Sequence, residues 1–196
     1  MLHTTFRMAR EAGTCSSEYN KMAKALGGIK KYGADMPIPL DRVLEVCGLD
    51  AALWCLCCVI EPAEREIRLL ACDFAEHTLP IFEEKYPYNK QPRQAIEISR
   101  RFAEGKAILA EMAAAGAVAV AVAEDVWDAA LATRAVAGDV AGDILAAARA
   151  AWAAAGAVAL DAPAAAWDAG WAAARDAARA AERQWQEKKF REMLNK

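Results

Sequence analysis

Between residues 107 and 181 the chain carries Ala at 37 of 75 positions. No other feature restricts the fold as strongly. Ala has the highest helix propensity of any residue, and a strand of Ala buries little area. The run AVAVAVA at 117–123 alternates like a strand, but its flanks, AILAEMAAA and EDVWDAALATRAVA, read as helix. Helix is therefore expected throughout, with breaks near Gly116 and Gly156. Small Ala faces let helices approach closely. The sparse Trp side chains then supply most of the buried area, at about 25 cal/mol per Å². The expected fold is all-α: stacked antiparallel helices and helical hairpins.

The Ala-rich part repeats itself. MAAAGAVAV at 112–120 returns as WAAAGAVAL at 152–160, and VWDAA at 126–130 returns as AWDAG at 166–170. Both matches share one offset of about 40 residues, the length of a two-helix unit. Ala identities mean little in this background. The matches that count are Gly116 with Gly156, Val118 with Val158, Trp127 with Trp167, and Asp128 with Asp168. They read as a duplicated helical hairpin.

Charge divides the chain in the same way. Residues 1–106 balance 15 Lys+Arg against 15 Asp+Glu, whereas 107–181 hold 4 against 9. The tail, 182–196, returns to positive. We expect an N-terminal helical region, 1–106, and an Ala/Trp-rich helical region, 107–196. No Pro/Ser-rich linker separates them, so they should pack as one continuous domain.

Local signals place the N-terminal helices. Ser17 and Glu18 open a helix that Gly27-Gly28 ends. IKKYGADMPIPL reads as loop, because Pro37 and Pro39 interrupt any helix. Asp41 and Asp50 are candidate caps for two short helices separated by Gly48, the second running through Trp54 to Ile60. Pro62 suits a first helical position. Ile67, Leu70, Ala71, Phe74 and Ala75 then form one stripe, with Pro80 expected to end or kink the helix. Pro92 opens another helix, whose stripe is Ala95, Ile96, Ser99, Phe102 and Ala103. A last long helix is expected from Pro163 to about Leu194.

Apolar residues make up 56% of the chain and charged residues 26%, which excludes a disordered polyelectrolyte. The net charge of −3 lacks the positive excess of a nucleic-acid binder. The N-terminal text lacks the apolar core of a secretory signal, and no run resembles a membrane span. Cytoplasmic localisation and reduced thiols are expected for the six cysteines, 15, 47, 55, 57, 58 and 72. Cys55 and Cys58 form a CxxC spacing without the second pair that structural zinc requires, so they read as packing residues. No metal or cofactor is expected.

Four other groups have both a structural and a functional reading. Arg93, Arg100 and Arg101 form either a solvated face or a surface for an acidic partner. Asp128 and Asp168, each following a repeated Trp, either pair locally with Arg134 and Arg175 or line equivalent grooves. Trp127, Trp152, Trp167, Trp171 and Trp185 either fill a core or stack a flat ligand. His77 reads as a helix-end His: Cys72, five residues earlier, points away from it and cannot form a nucleophile pair. No phosphate-binding Gly loop, nucleophile elbow or HExxH helix is present.

Two segments carry a resemblance. In IRLLACDFAEHTLPIFEE at 67–84 the residues are Leu70, Ala71, Cys72, Ala75, Leu79 and Pro80. In QPRQAIEISRRFAEGKA at 91–107 they are Pro92, Arg93, Ala95, Ile96, Glu97, Ala103, Glu104 and Gly105. Followed by Ala-rich helices with recurring Trp-Asp-Ala, this order resembles a family of immunity proteins associated with bacterial polymorphic toxins, with relatives among phage genes. The resemblance implies a non-enzymatic protein that binds and neutralises an antagonist protein, either a toxin or a host defence component. Arg93, Arg100, Asp128, Asp168, Trp167 and Trp171 are the candidate binding residues. The alternative is a protein that sequesters a small ligand or nucleotide signal between its Trp and Arg side chains. Neither reading involves direct nucleic-acid or membrane binding, and both leave the oligomeric state open.

Overall fold

A computed structural model describes residues 1–134 and 179–195. It is mostly helical, as expected; the strands among the described residues form one two-stranded antiparallel pair. The chain forms two compact units, Met1–Ala63 with Glu187–Lys196, and Glu64–Gln186. The composition change near Gly105 falls inside the second.

In the first unit, β1 (His3–Thr4) pairs with β2 (Ile38–Pro39), His3 opposite Pro39 and Thr4 opposite Ile38. Between them lie α1 (Phe6–Glu11), α2 (Ser16–Ala25) and the single turn α3 (Ile29–Tyr32). Thr5 caps α1 by accepting the Met8 amide at 3.0 Å. Phe6 is buried, with Tyr19 and Tyr32 edge-on to it at 5.3 and 6.1 Å. The segment read as loop thus holds a helical turn and a strand. Each is too short to show a period, and Pro39 sits in a strand whose one neighbour is β1.

Helices α4 (Leu40–Cys47) and α5 (Leu49–Trp54) follow. Leu40, Val43, Leu44, Ala52 and Leu53 are buried. Neither expected acidic cap holds. Pro39 and Gly48 occupy the two cap positions, and Asp41 and Asp50 sit in the first turns, where a negative charge meets the positive helix end. Gly48, at φ +90°, ends one helix and starts the next. The second of these helices does not reach Ile60. It tightens into a 3-10 turn, Cys55–Cys58, and leaves in extended conformation at Val59.

The second unit begins with α6 (Glu64–Lys85), two residues after the proline expected to open it. Its expected stripe is buried: Ile67, Leu70, Ala71, Phe74 and Ala75. The helix does not end at Pro80. An internal Pro costs about 3 kcal/mol. Here the apolar stripe continues on both sides, with Ala75, Leu79 and Phe82 all fully buried, and that burial offsets the lost hydrogen bond. Helix α7 (Gln91–Ala103) has Pro92 in its first turn and buries Ala95, Ile96 and Ser99. It packs against α6 and against α8 (Leu109–Arg134).

Helix α8 runs unbroken through Gly116 and through AVAVAVA. Its buried positions are Met112, Gly116, Ala119 and Val122. That spacing is helical, so the alternating text is an accident of Ala/Val composition. Gly116 lies on the buried stripe and breaks nothing. Helix α9 (Arg179–Leu194) matches the end of the expected long helix. Gly156 and the second copy of the repeat lie outside the described residues.

Candidate functional site

The α6–α7 hairpin gathers the chemistry that the chain displays most plainly. Its inner face is small and apolar. Cys72 is fully buried, and its Sγ lies 4.0 Å from the Ile96 carbonyl oxygen across the hairpin. Burial pushes the Cys72 thiol upward, against hydrogen bonding from Ser99, so it is held neutral. Arg68 is 3% exposed, with its guanidinium 5.5 Å from the Phe102 ring centroid and 3.7 Å from Glu64.

Along the edge of the hairpin runs a chain of ion pairs. Arg93 donates from Nε and Nη2 to the two oxygens of Glu83 at 2.7 and 2.6 Å. Arg100 donates from Nη2 to Asp73 and to Glu76, each at 2.6 Å. Glu76 lies 3.8 Å from Arg93 through its other oxygen, so it links the two arginines. Antiparallel helices explain the register. Seven residues forward on α7, from Arg93 to Arg100, correspond to seven residues back on α6, from Glu83 to Glu76. Two turns separate each pair, so both arginines share one face.

The fork geometry of guanidinium and carboxylate sets the electrostatics. The hydrogen bond from Arg93 holds the Glu83 carboxyl below its ordinary range, and Glu83 raises Arg93 in return. Burial works against the charge on Arg100, but its bonds to Asp73 and Glu76 outweigh that effect and raise it. Both arginines keep about a third of their side-chain surface exposed. Arg101 points elsewhere and donates to the Lys106 carbonyl beyond the helix end at 3.1 Å. At the tip of the hairpin Tyr88 is 97% exposed.

His77 is not at a helix end. It lies within α6, its ring flat on Trp185 of α9, with centroids 3.7 Å apart and planes 8° apart. Phe74 meets the same indole edge-on at 6.1 Å. One of the singled-out Trp residues is therefore packed on protein rings.

Of the six expected binding residues, Arg93 and Arg100 come together on one helix face. Asp128 lies on α8, and Trp167, Asp168 and Trp171 lie outside the described residues. The sequence reading missed Asp73, Glu76 and Glu83 as partners of the arginines, and Tyr88 as an exposed aromatic. The signal for the acids was their shared stripe on α6. Among the described residues, no group of three or more His, Cys, Asp or Glu side chains is arranged to hold a metal ion. No helix among them is long and apolar enough to cross a membrane.

No curated protein and no solved structure matches the chain. The family described as Imm-5 like putative immunity protein matches residues 59–193. That span takes in the whole hairpin, its ion pairs, the Tyr88 tip and Trp185, and it leaves almost all of the first unit's N-terminal segment outside. The match extends over well more than half of the chain, and the protein belongs to the Imm-5 like immunity protein family.

Proposed function

We propose that the chain is a cytoplasmic, non-enzymatic binding protein that neutralises an antagonist protein by direct contact, with the α6–α7 hairpin as its docking face. Family membership over residues 59–193 carries this reading, since an immunity protein implies a protein toxin as partner. The hairpin supports it physically. Its charged edge is already fixed by intramolecular bonds, so little side-chain entropy remains to be lost on docking. Tyr88 offers a large aromatic anchor of the type that dominates binding energy at interfaces. On the Ala-rich half, Asp128, Asp168, Trp167 and Trp171 remain proposed contacts, with Trp167 assigned to the partner only if its loss spares the fold.

Co-expression with a panel of polymorphic toxins and of host defence effectors tests this, scored by cell survival. We expect the chain to rescue cells from one of them. Tyr88→Ala and Arg93→Glu should weaken rescue while leaving the fold intact by circular dichroism. Rescue from a defence effector alone would place the chain in the anti-defence branch. Failure across the whole panel, joined to thermal stabilisation by a nucleotide, would overturn the reading in favour of ligand sequestration. Saturation to 100 times Kd adds about 2.7 kcal/mol of stability.

A further inference from the structure

The first unit holds a feature that the immunity reading does not use. Three of its cysteines lie on one 3-10 turn, Cys55–Cys58. In a 3-10 helix side chains three apart eclipse, and the rise of about 2 Å per residue brings their Cα atoms to about 6 Å. That separation lies within the window a disulfide spans. Cys55 and Cys58 are buried, and Cys57 is exposed. The Cys58 Sγ donates to the Cys55 carbonyl oxygen across the turn at 3.4 Å.

The surroundings distinguish the two sulfurs. The Thr4 hydroxyl lies 3.4 Å from the Cys58 Sγ and donates to the Cys58 carbonyl at 2.7 Å. Hydrogen bonding with Cys55 favours the Cys58 thiolate and lowers its titration, whereas Cys55 is raised because its proton is held in that same interaction, with burial and the neighbouring Cys58 sulfur acting in the same direction. Two thiols fall short of the four ligands of a structural zinc site, and no larger donor group is arranged around them among the described residues.

We propose that Cys55 and Cys58 form a redox-active dithiol that closes to an intramolecular disulfide by exchange with a small disulfide such as glutathione disulfide. The Cys58 thiolate attacks one sulfur of the oxidant and expels a glutathione thiolate, leaving a mixed disulfide. The Cys55 thiol gives up its proton and attacks the Cys58 sulfur, and the second glutathione thiolate leaves and takes up that proton. Two protein thiols are oxidised and one disulfide is reduced to two thiols. The segment just after the turn anchors the N-terminal strand: the Ile60 amide donates to the His3 carbonyl at 2.8 Å, and the His3 amide donates to Glu61 at 2.8 Å. The redox state of the pair is therefore set beside the contacts that hold β1.

Equilibrating the full chain in glutathione buffers of rising oxidised fraction, quenching with acid, unfolding, alkylating the remaining thiols and sequencing the peptides by mass spectrometry tests the proposal. All six cysteines of the unfolded chain should react after reducing buffer, and after oxidising buffer Cys55 and Cys58 should be protected together and joined to each other. Cys57→Ser should leave this unchanged, and Cys55→Ser should stop at the glutathione adduct on Cys58. The wild-type result stands alone if a variant does not fold. Alkylation of both Cys55 and Cys58 in the unfolded chain after oxidising buffer, or a bridge between any other pair, would overturn it.

Discussion

His77 lies flat against Trp185, ring centroids 3.7 Å apart, with Phe74 closing the indole edge. Stacked ring pairs contribute about 0.5–1.5 kcal/mol beyond the area they bury. A double-mutant cycle of His77→Ala and Trp185→Ala should return a coupling of that size in urea melts. Coupling near zero would show that each ring acts through other neighbours.

The Arg93–Glu83 fork predicts both a coupling and a pH dependence. Exposed ion pairs contribute about 0.2–1 kcal/mol, and this one sits near the upper end because it is bidentate. The cycle of Arg93→Ala and Glu83→Ala should therefore give about 0.5–1 kcal/mol at pH 7, less in high salt. The folded-state titration of Glu83 lies below its unfolded value of about 4.3. Its contribution is thus fully present above that value and is lost as pH falls through the depressed one. Arg93→Ala should remove that part of the acid sensitivity. Stability curves of the two proteins that fall in parallel from pH 5 to pH 2 would contradict the assignment.

Those two contacts also mark the limit of what the sequence discloses. The stripes of α6 and α7 were readable, since burial at helical spacing is a local pattern. The ion pairs were not, because a stripe names the face of a helix but not the register of its neighbour. Pro80 looked like a stop because its local cost is visible and the burial of Phe82 that offsets it is not. The pairing of His3–Thr4 with Ile38–Pro39 left no trace, since two residues cannot show alternation. AVAVAVA showed the wrong period, and Ala propensity with the helical flanks argued correctly for helix. The Trp185 platform needed a residue of α6 to meet one of α9, which no local rule supplies.

Gly33 gives a test of the first unit. Its φ is +105°, and a Cβ built there would lie 2.7 Å from the Met36 Cγ. At φ +105° and ψ 133° the backbone lies outside the αL basin and costs an L-residue about 1–3 kcal/mol, and the contact adds to it. Gly33→Ala should lower stability by about that amount or slightly more. Combining it with Met36→Ala should recover the contact but not the backbone term. Full recovery in the double variant would show that the turn relaxes to another conformation.

The duplicated Ala-rich text makes the last prediction. Trp127 and Trp167, each followed by Asp, stand at one offset with Gly116 and Gly156. If the repeat is two copies of one hairpin, the two Trp side chains occupy equivalent environments. In a core made mostly of Ala, each would supply a large share of the buried area. Trp127→Ala and Trp167→Ala should then each cost about 3–5 kcal/mol, and by similar amounts. A large loss at one site with none at the other would end the repeat reading. Unchanged stability at both, with rescue of toxin-challenged cells abolished, would instead move the two Trp side chains from the core to the binding surface.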